Sequence, residues 1–141
     1  MSTLATQKAT TQTVLDAYNS WDMEKILAFR APECKQQVLP ASLGRSSMSN
    51  SEYCESFGQM MPHFRKFTLT IHTEVHDADA HTCMMHATST AETDIGPYAN
   101  EYALILHFTD DGKKVTKFLE YVDSAYSNKF FAALAEARLG K

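Results

Sequence analysis

Tyr98-Ala99-Asn100-Glu101-Tyr102-Ala103-Leu104-Ile105-Leu106-His107-Phe108-Thr109 turns at Asp110-Asp111-Gly112-Lys113 and returns from Val115 to Val122. Both arms alternate in side-chain character with a period of two, the pattern of strands that bury one face. The Asp/Gly-rich link between them is a hairpin signal. Working backwards, Cys83 to Thr93 reads as another strand, joined to Tyr98 through the turn Asp94-Ile95-Gly96-Pro97. Before it, Phe67, Leu69, Ile71, Thr73 and Val75 alternate with polar residues and predict one more buried face. Four long antiparallel strands in succession are the expected sheet.

Helical periodicity flanks that sheet. Val14, Tyr18 and Trp21, with Leu15 beside them, share one face of a helix reaching back towards Leu4. Ser20 or Asp22 caps a short second helix carrying Ile26, Leu27 and Phe29, expected to end soon after Arg30 because Pro32 follows. Cys34 to Leu39 is short and mixed, closed by Pro40 and a Ser/Gly/Asn-rich stretch, and reads as a small hairpin or lid. Ser49 or Asn50 caps a third helix with Tyr53, Phe57, Met60, Met61 and Phe64 on its apolar face, and Pro62 ends its regular part. A closing helix carries Phe130, Phe131 and Leu134 and ends at Gly140. The whole chain, residues 1–141, reads as one α+β domain in which residues 1–12 are a poorly patterned N-terminal extension. A curved antiparallel sheet wrapped around helices leaves a conical cavity, a natural small-molecule site.

Composition removes several function classes. The 141 residues carry 13 basic and 17 acidic side chains, a net charge of −4, so there is no general attraction for nucleic acid. The five glycines, at positions 44, 58, 96, 112 and 140, are not spaced as a phosphate-binding loop. Cys34, Cys54 and Cys83 are an odd, scattered set without Cys-x-x-Cys, which suggests a reducing compartment. No run has the length of a membrane span or a signal-peptide core. The expectation is a cytoplasmic protein with no membrane or nucleic-acid partner and no cofactor.

Five of the six histidines fall between His63 and His86. His76 and His81 flank the turn Asp77-Ala78-Asp79-Ala80, where side chains are expected in solvent, and His72 opposes Leu69 and Ile71. No metal site is assigned. The last two strands carry a richer set. Period two places Tyr98, Asn100, Tyr102, Leu104, Leu106 and Phe108 on the bulkier, cavity-facing side. Tyr98 and Tyr102 stand about 13–14 Å apart along the strand, at roughly 3.4 Å per residue. On the returning strand Phe118, Glu120 and Val122 share a face, and alternation alone leaves it open whether they or Leu119 and Tyr121 point inward. A carboxyl inside an apolar cavity must be paired, hydrogen-bonded or neutral. Arg30, at the end of a helix that plugs the mouth of the cone, is the nearest basic candidate. Phenols, a carboxyl and a guanidinium together move protons on a neutral organic substrate. Phe57, Met60, His86, Leu104 and Phe118 are the expected substrate-contacting wall, and Asp123-Ser124 reads as a helix cap.

Several stretches resemble one family. Leu27-Ala28-Phe29-Arg30-Ala31-Pro32-Glu33-Cys34 and Val38-Leu39-Pro40-Ala41-Ser42-Leu43-Gly44 are similar to fungal SnoaL-like proteins of the nuclear transport factor 2-like superfamily. So are Gly96-Pro97-Tyr98-Ala99-Asn100-Glu101-Tyr102 and Glu120-Tyr121-Val122-Asp123-Ser124. The resemblance covers the chain from about Thr13 to Leu134. It implies a cone-shaped α+β barrel, a homodimer packed through the outer sheet face, and cofactor-free remodelling of complex secondary metabolites. Within the group, the brevianamide-type semipinacolase is similar in using an arginine, two tyrosines four residues apart and a later glutamate. The matching positions are Arg30, Tyr98, Tyr102 and Glu120, and the match favours an inward Glu120.

The expected function is therefore a cofactor-independent isomerase or cyclase of fungal secondary metabolism acting on a polycyclic small molecule. Its most specific form is a semipinacol-type rearrangement of an indole alkaloid. There, Glu120 accepts a hydroxyl proton, Arg30 holds the forming carbonyl oxygen, and the tyrosines orient the substrate. Epoxide hydrolysis or cyclisation, or meroterpenoid isomerisation, uses the same groups. A non-catalytic binding or assembly module is the reading from another class.

Overall fold

In the computed structural model, which describes residues 2–139, Ser2 opens the first helix. Its hydroxyl accepts from the Ala5 amide at 3.1 Å, satisfying one of the N–H groups that a helix start leaves unpaired. Helix α1 (Thr3–Ser20) ends where Trp21 turns left-handed, at φ 53°. Its Val14, Ala17 and Tyr18 are buried on one stripe. Residues 3–12, read from sequence as a poorly patterned extension, are the first turns of this helix. They bury Gln7, Thr10 and Thr11, and polar contacts rather than apolar periodicity dock them. The Thr10 hydroxyl donates to the Gly112 carbonyl at 2.6 Å. Gly112 itself stands at φ 76°, and a Cβ there would lie 3.2 Å from the Gln7 amide nitrogen and 3.3 Å from the Thr3 carbonyl. The hairpin turn therefore needs glycine twice over, for its backbone angle and for its approach to α1.

Asp22 caps α2 (Met23–Ala28), accepting from the Glu24 amide at 3.0 Å. This helix stops two residues short of Arg30, which already begins β1 (Arg30–Leu39). The segment expected as a hairpin or lid is thus a strand of the sheet, paired in parallel with β5 (Val115–Val122). Its inward positions are Cys34 and Gln36, both buried. That polar content is why alternation did not reveal it. Pro32 is tolerated because β1 is an edge strand. Helix α3 (Asn50–Met60) starts with a capping box between Ser49 and Glu52 and gives way at Pro62 to a single 3-10 turn, Met61–His63.

Three further strands, β2 (Phe64–Asp77), β3 (Thr82–Thr93) and β4 (Gly96–Phe108), complete a five-stranded sheet in the order β1-β5-β4-β3-β2. All pairings except β1–β5 are antiparallel. Register shifts between Arg65 and Thr68, and again between Ile71 and Thr73, bend β2, and bulges of this kind add the twist that curls a sheet. The second one inverts the face assignment expected from sequence. After it, Val75 pairs with Met84 on the outer face and is 62% exposed, whereas His76 pairs with Cys83 on the inner face. Helix α4 (Ser124–Leu139) is capped by Asp123, whose side chain accepts from the Tyr126 amide at 3.2 Å. Its expected end at Gly140 lies outside the described residues.

The sheet's concave face and the helices enclose two aromatic-rich clusters. One joins Tyr18, Ile26, Phe29, Leu104, Leu106 and Phe118, and the other joins Phe64, Ala91, Tyr98, Phe130 and Leu134. Burying each of the larger side chains contributes about 1.5–3 kcal/mol. No helix among the described residues is long and apolar enough to cross a membrane.

Candidate active site

Between the two clusters the packing leaves a cavity of about 130 Å³. Its wall is mainly apolar, from Phe57, Phe67, Leu69, Leu104, Phe118 and Phe131, and a few polar groups converge on it: Tyr18, Tyr98, Asn100, Tyr102, Glu120 and Ser127. Arg45, exposed, stands at its rim. A space of this size admits one ring of a larger molecule; cavities near 150 Å³ hold a benzene.

Glu120 lies on this wall with Phe118 and Val122, while Leu119 and Tyr121 take the opposite face of β5 and Tyr121 is exposed. Burial pushes the Glu120 carboxyl above its ordinary range, opposed by the Gln36 amide, Arg30 and Arg45. Tyr98 and Tyr102 share the inner face of β4, and their side chains lean together until the phenol oxygens are 3.2 Å apart. Asn100 sits between them in sequence and directs them. Its Nδ2, which can only donate, reaches the Tyr98 oxygen at 2.8 Å and the Ser127 hydroxyl at 2.9 Å. The Tyr98 proton is thereby turned towards Tyr102 or the cavity. Tyr102 in turn meets the Ser89 hydroxyl at 2.7 Å. Burial raises the pKa of both phenols, so they stand as protonated donors, and the carboxyl is the group that can accept a proton.

Arg30 is not on the cavity wall. Arg30 does not plug the mouth of the cone as expected, because α2 ends at Ala28, before it. Being the first residue of β1, Arg30 is buried beneath the cavity floor, its guanidinium 4.3 Å from the Tyr53 ring centroid and 5.0 Å and 5.6 Å from those of Phe29 and Phe118. It donates to the Ile26 carbonyl at 3.0 Å, the Gln36 side-chain carbonyl at 2.7 Å and the Tyr18 phenol oxygen at 2.8 Å. Tyr18 also meets the Tyr53 hydroxyl at 2.7 Å. Burial lifts the Tyr18 phenol to about 12 against the pull of Arg30. In this arrangement Arg30 reaches the cavity through Tyr18 and does not itself line it.

Of the other expected wall residues, Phe57, Leu104 and Phe118 line the cavity, and Met60 and His86 do not. Met60 packs into the second aromatic cluster. His86 faces outward because β3 pairs it with Ala103, an outer-face position of β4; it hydrogen-bonds Glu101 at 2.6 Å, and its ring centroid lies 5.0 Å from that of His72, the planes tilted by 36°. Tyr18, Gln36, Ser89 and Ser127 were not singled out from the sequence. Asn100 had its signal, an amide between two tyrosines on the inner face.

The bulge in β2 also corrects the view of His76 as a solvent-facing residue: its side chain is 3% exposed beneath α1. With Glu74 and Cys83 it forms the one trio, among the described residues, whose ligand-type atoms lie within 4.8 Å of one another. Hydrogen bonding closes this trio on itself. The Gln7 amide nitrogen faces His76 Nδ1 at 2.9 Å, so Nδ1 accepts and Nε2 carries the proton, donated to Glu74 at 2.6 Å. Burial, with Glu74 nearby, pushes the Cys83 thiol up to about 12. Neither His76 Nε2 nor Cys83 then offers the lone pair that an ion requires.

No family model matches the chain. Among curated proteins it is 32% identical over 128 residues to monooxygenase nsrQ of Aspergillus novofumigatus, spanning 91% of this chain and 85% of that one. It is 34% identical over 120 residues to the austinoid biosynthesis clusters protein F of Penicillium brasilianum, spanning 82% and 79%. Among solved structures, the BvnE pinacolase from Penicillium brevicompactum superposes with a TM-score of 0.92 at 25% identity, over 97% of this chain and 99% of that one. Sequence likeness across most of both chains and near-coincident folds lead to one assignment: the chain belongs to the fungal SnoaL-like proteins of the nuclear transport factor 2-like superfamily.

Proposed function

We propose that this protein is an isomerase or cyclase of fungal secondary metabolism that rearranges one ring of a polycyclic substrate by proton transfer, without a cofactor. One observation carries the reading: a carboxyl of raised pKa and two phenols held as donors converge on the same small apolar cavity. Similarity to a pinacolase and to a biosynthetic-cluster protein supports it. In its most specific form the reaction is a semipinacol rearrangement of an indole alkaloid bearing a hydroxyl beside an imine carbon. Glu120 accepts the hydroxyl proton as the neighbouring C–C bond migrates to that carbon. The imine electrons pass to nitrogen, which takes a proton from Tyr98 or Tyr102. One proton leaves and one arrives, so substrate and product are isomers. The forming carbonyl oxygen faces the Tyr18 hydroxyl, and Arg30 acts from behind it. A water-poor cavity that holds one conformer also decides which group migrates.

The test is incubation with hydroxyindolenines, epoxides and meroterpenoid lactones, with and without oxygen, and analysis of product mass. An isomeric product formed anaerobically and lost in Glu120→Gln is expected. A product one oxygen atom heavier that requires oxygen, the chemistry named for the nsrQ relative, overturns the reading. So does full turnover by Glu120→Gln. The same reading includes a homodimer packed through the outer sheet face, where Val75, Met84 and Tyr121 are exposed. Sedimentation at micromolar concentration is expected to give a dimer that Val75→Glu with Met84→Glu dissociates, and a wild-type monomer overturns that part.

A further inference from the structure

We propose that Gln36 is a positioning residue that links the buried Arg30 charge to Glu120, accepting from the guanidinium and holding an amide donor for the carboxylate. The inference rests on Glu120 being the acid–base group of the cavity. Gln36 is completely buried, and its amide orientation is not free. The side-chain oxygen accepts from Arg30 Nη1 at 2.7 Å, and turning the amide over would set two donors against each other. Its nitrogen must therefore point away from Arg30, and there it has no hydrogen-bond partner among the described residues. A buried donor left open is costly and calls for a reason.

The strand register supplies one. In the parallel β1–β5 pair, Gln36 lies opposite Phe118 and Val38 opposite Glu120. Gln36 and Glu120 are thus diagonal neighbours on the inner face of the sheet. When Glu120 is ionised, its carboxylate is the acceptor that the Gln36 nitrogen lacks; when Glu120 is protonated, the donor stands idle. The amide ranks ahead of Arg30 and Arg45 among the groups that favour the ionised form. The other groups facing the carboxyl, the phenols of Tyr18, Tyr53, Tyr98 and Tyr102, are kept neutral by burial. Gln36 is in this way the lever that sets how strong a base Glu120 is.

The test is a carbon-13 NMR titration of the Glu120 side-chain carboxyl, assigned by its loss in Glu120→Gln, in wild type, Gln36→Met and Gln36→Glu. Gln36→Glu keeps an acceptor for Arg30 and so guards against a variant that fails to fold. Both variants are expected to raise the Glu120 midpoint by about one pH unit or more, the usual size of such a hydrogen-bond effect, and the kcat/KM profile of any accepted substrate shifts with it. A midpoint within about 0.3 unit of wild type in the folded variants, or a lower one, overturns the proposal. If the midpoint rises but the rate profile stays, Gln36 keeps its role, and the assignment of Glu120 as the catalytic acid–base group falls instead.

Discussion

Replacing Arg30 with methionine separates a positioning role from direct contact with substrate. The substitution deletes the donors of three N–H···O hydrogen bonds, to the Ile26 carbonyl, the Gln36 side chain and the Tyr18 phenol, and of a weak one at 3.9 Å to the Cys34 sulfur. Tyr18 keeps Tyr53 as a partner, so two buried acceptors are left open, at about 1–3 kcal/mol each. Three cation–π contacts are lost as well, each worth about 0.5–2 kcal/mol. Against this, a buried charge with no carboxylate within ion-pair distance among the described residues disappears, which relieves desolvation. Methionine also fills much of the space between the aromatic rings. The net cost is about 2–4 kcal/mol. With a urea m-value of about 1.5–2 kcal/mol/M, the unfolding midpoint falls by about 1–2.7 M. Equilibrium unfolding followed by tryptophan fluorescence, with Trp21 as the single reporter, reads this directly. A midpoint unchanged within 0.2 M together with abolished turnover would refute the reasoning, because it would place the guanidinium on the substrate rather than beneath the cavity.

Glu120→Gln makes a second prediction, on pH. Burial raises the folded-state pKa of Glu120, so the native state holds a proton that the unfolded chain releases first. Stability is therefore lost as pH rises from the ordinary carboxylate value through the raised one. Glutamine removes that slope, and the variant should be the more stable protein near pH 7.5 and equal to wild type near pH 4, as urea melts at the two values would reveal. Its turnover should fall by about 10²-fold or more, as expected for loss of a general base. Asp94 has the opposite sign: His63 and Arg65 hold its carboxyl down to about 2, so its contribution is present above the ordinary aspartate range and disappears as pH falls towards 2. Asn100→Leu removes the donor to Tyr98 and Ser127 and should destabilise by about 1–3 kcal/mol. It should also raise KM by freeing the Tyr98 hydroxyl, and steady-state kinetics alongside melts would separate the two effects. Gly112→Ala forces a Cβ into a left-handed turn against α1 and should cost about 1–2 kcal/mol. If its thermal midpoint matches wild type, the docking of α1 on this turn is not tight.

What could be read in the sequence was whatever repeats along the chain. The period of two in β4 and β5 is local, and it placed Tyr98, Asn100, Tyr102 and Leu104 on one face. The apolar stripe of α1 and the Ser49–Glu52 capping box are local as well. The features that escaped are set by contacts between distant segments. β1 keeps polar residues inside because Arg30 gives the Gln36 side-chain oxygen something to bond, so its inner face does not look like one. The parity of β2 changes at His72, an extra residue that no alternation rule anticipates, and with it Val75 and His76 exchange sides. Motif similarity drew Arg30 and Glu120 together, and the structure places Glu120 on the cavity wall and Arg30 away from it. It did not say that an amide stands between them, since Gln36 reaches Glu120 through a pairing of strands about eighty residues apart in sequence.

That pairing has a consequence for how the molecule assembles. β2, β3 and β4 are joined by short turns and can zip one after another, whereas β1 must return across most of the chain to dock on β5. Closing so long a loop carries the larger entropy cost. A chain with the antiparallel strands in place and β1 undocked already has most of its sheet, but Glu120 then faces water and Arg30 lies far from it. Mild denaturant should accordingly extinguish activity before it erodes the far-ultraviolet signal of the strands. On the proposed reading, the setting of Glu120 is completed only when β1 docks, and it is expected to be lost first.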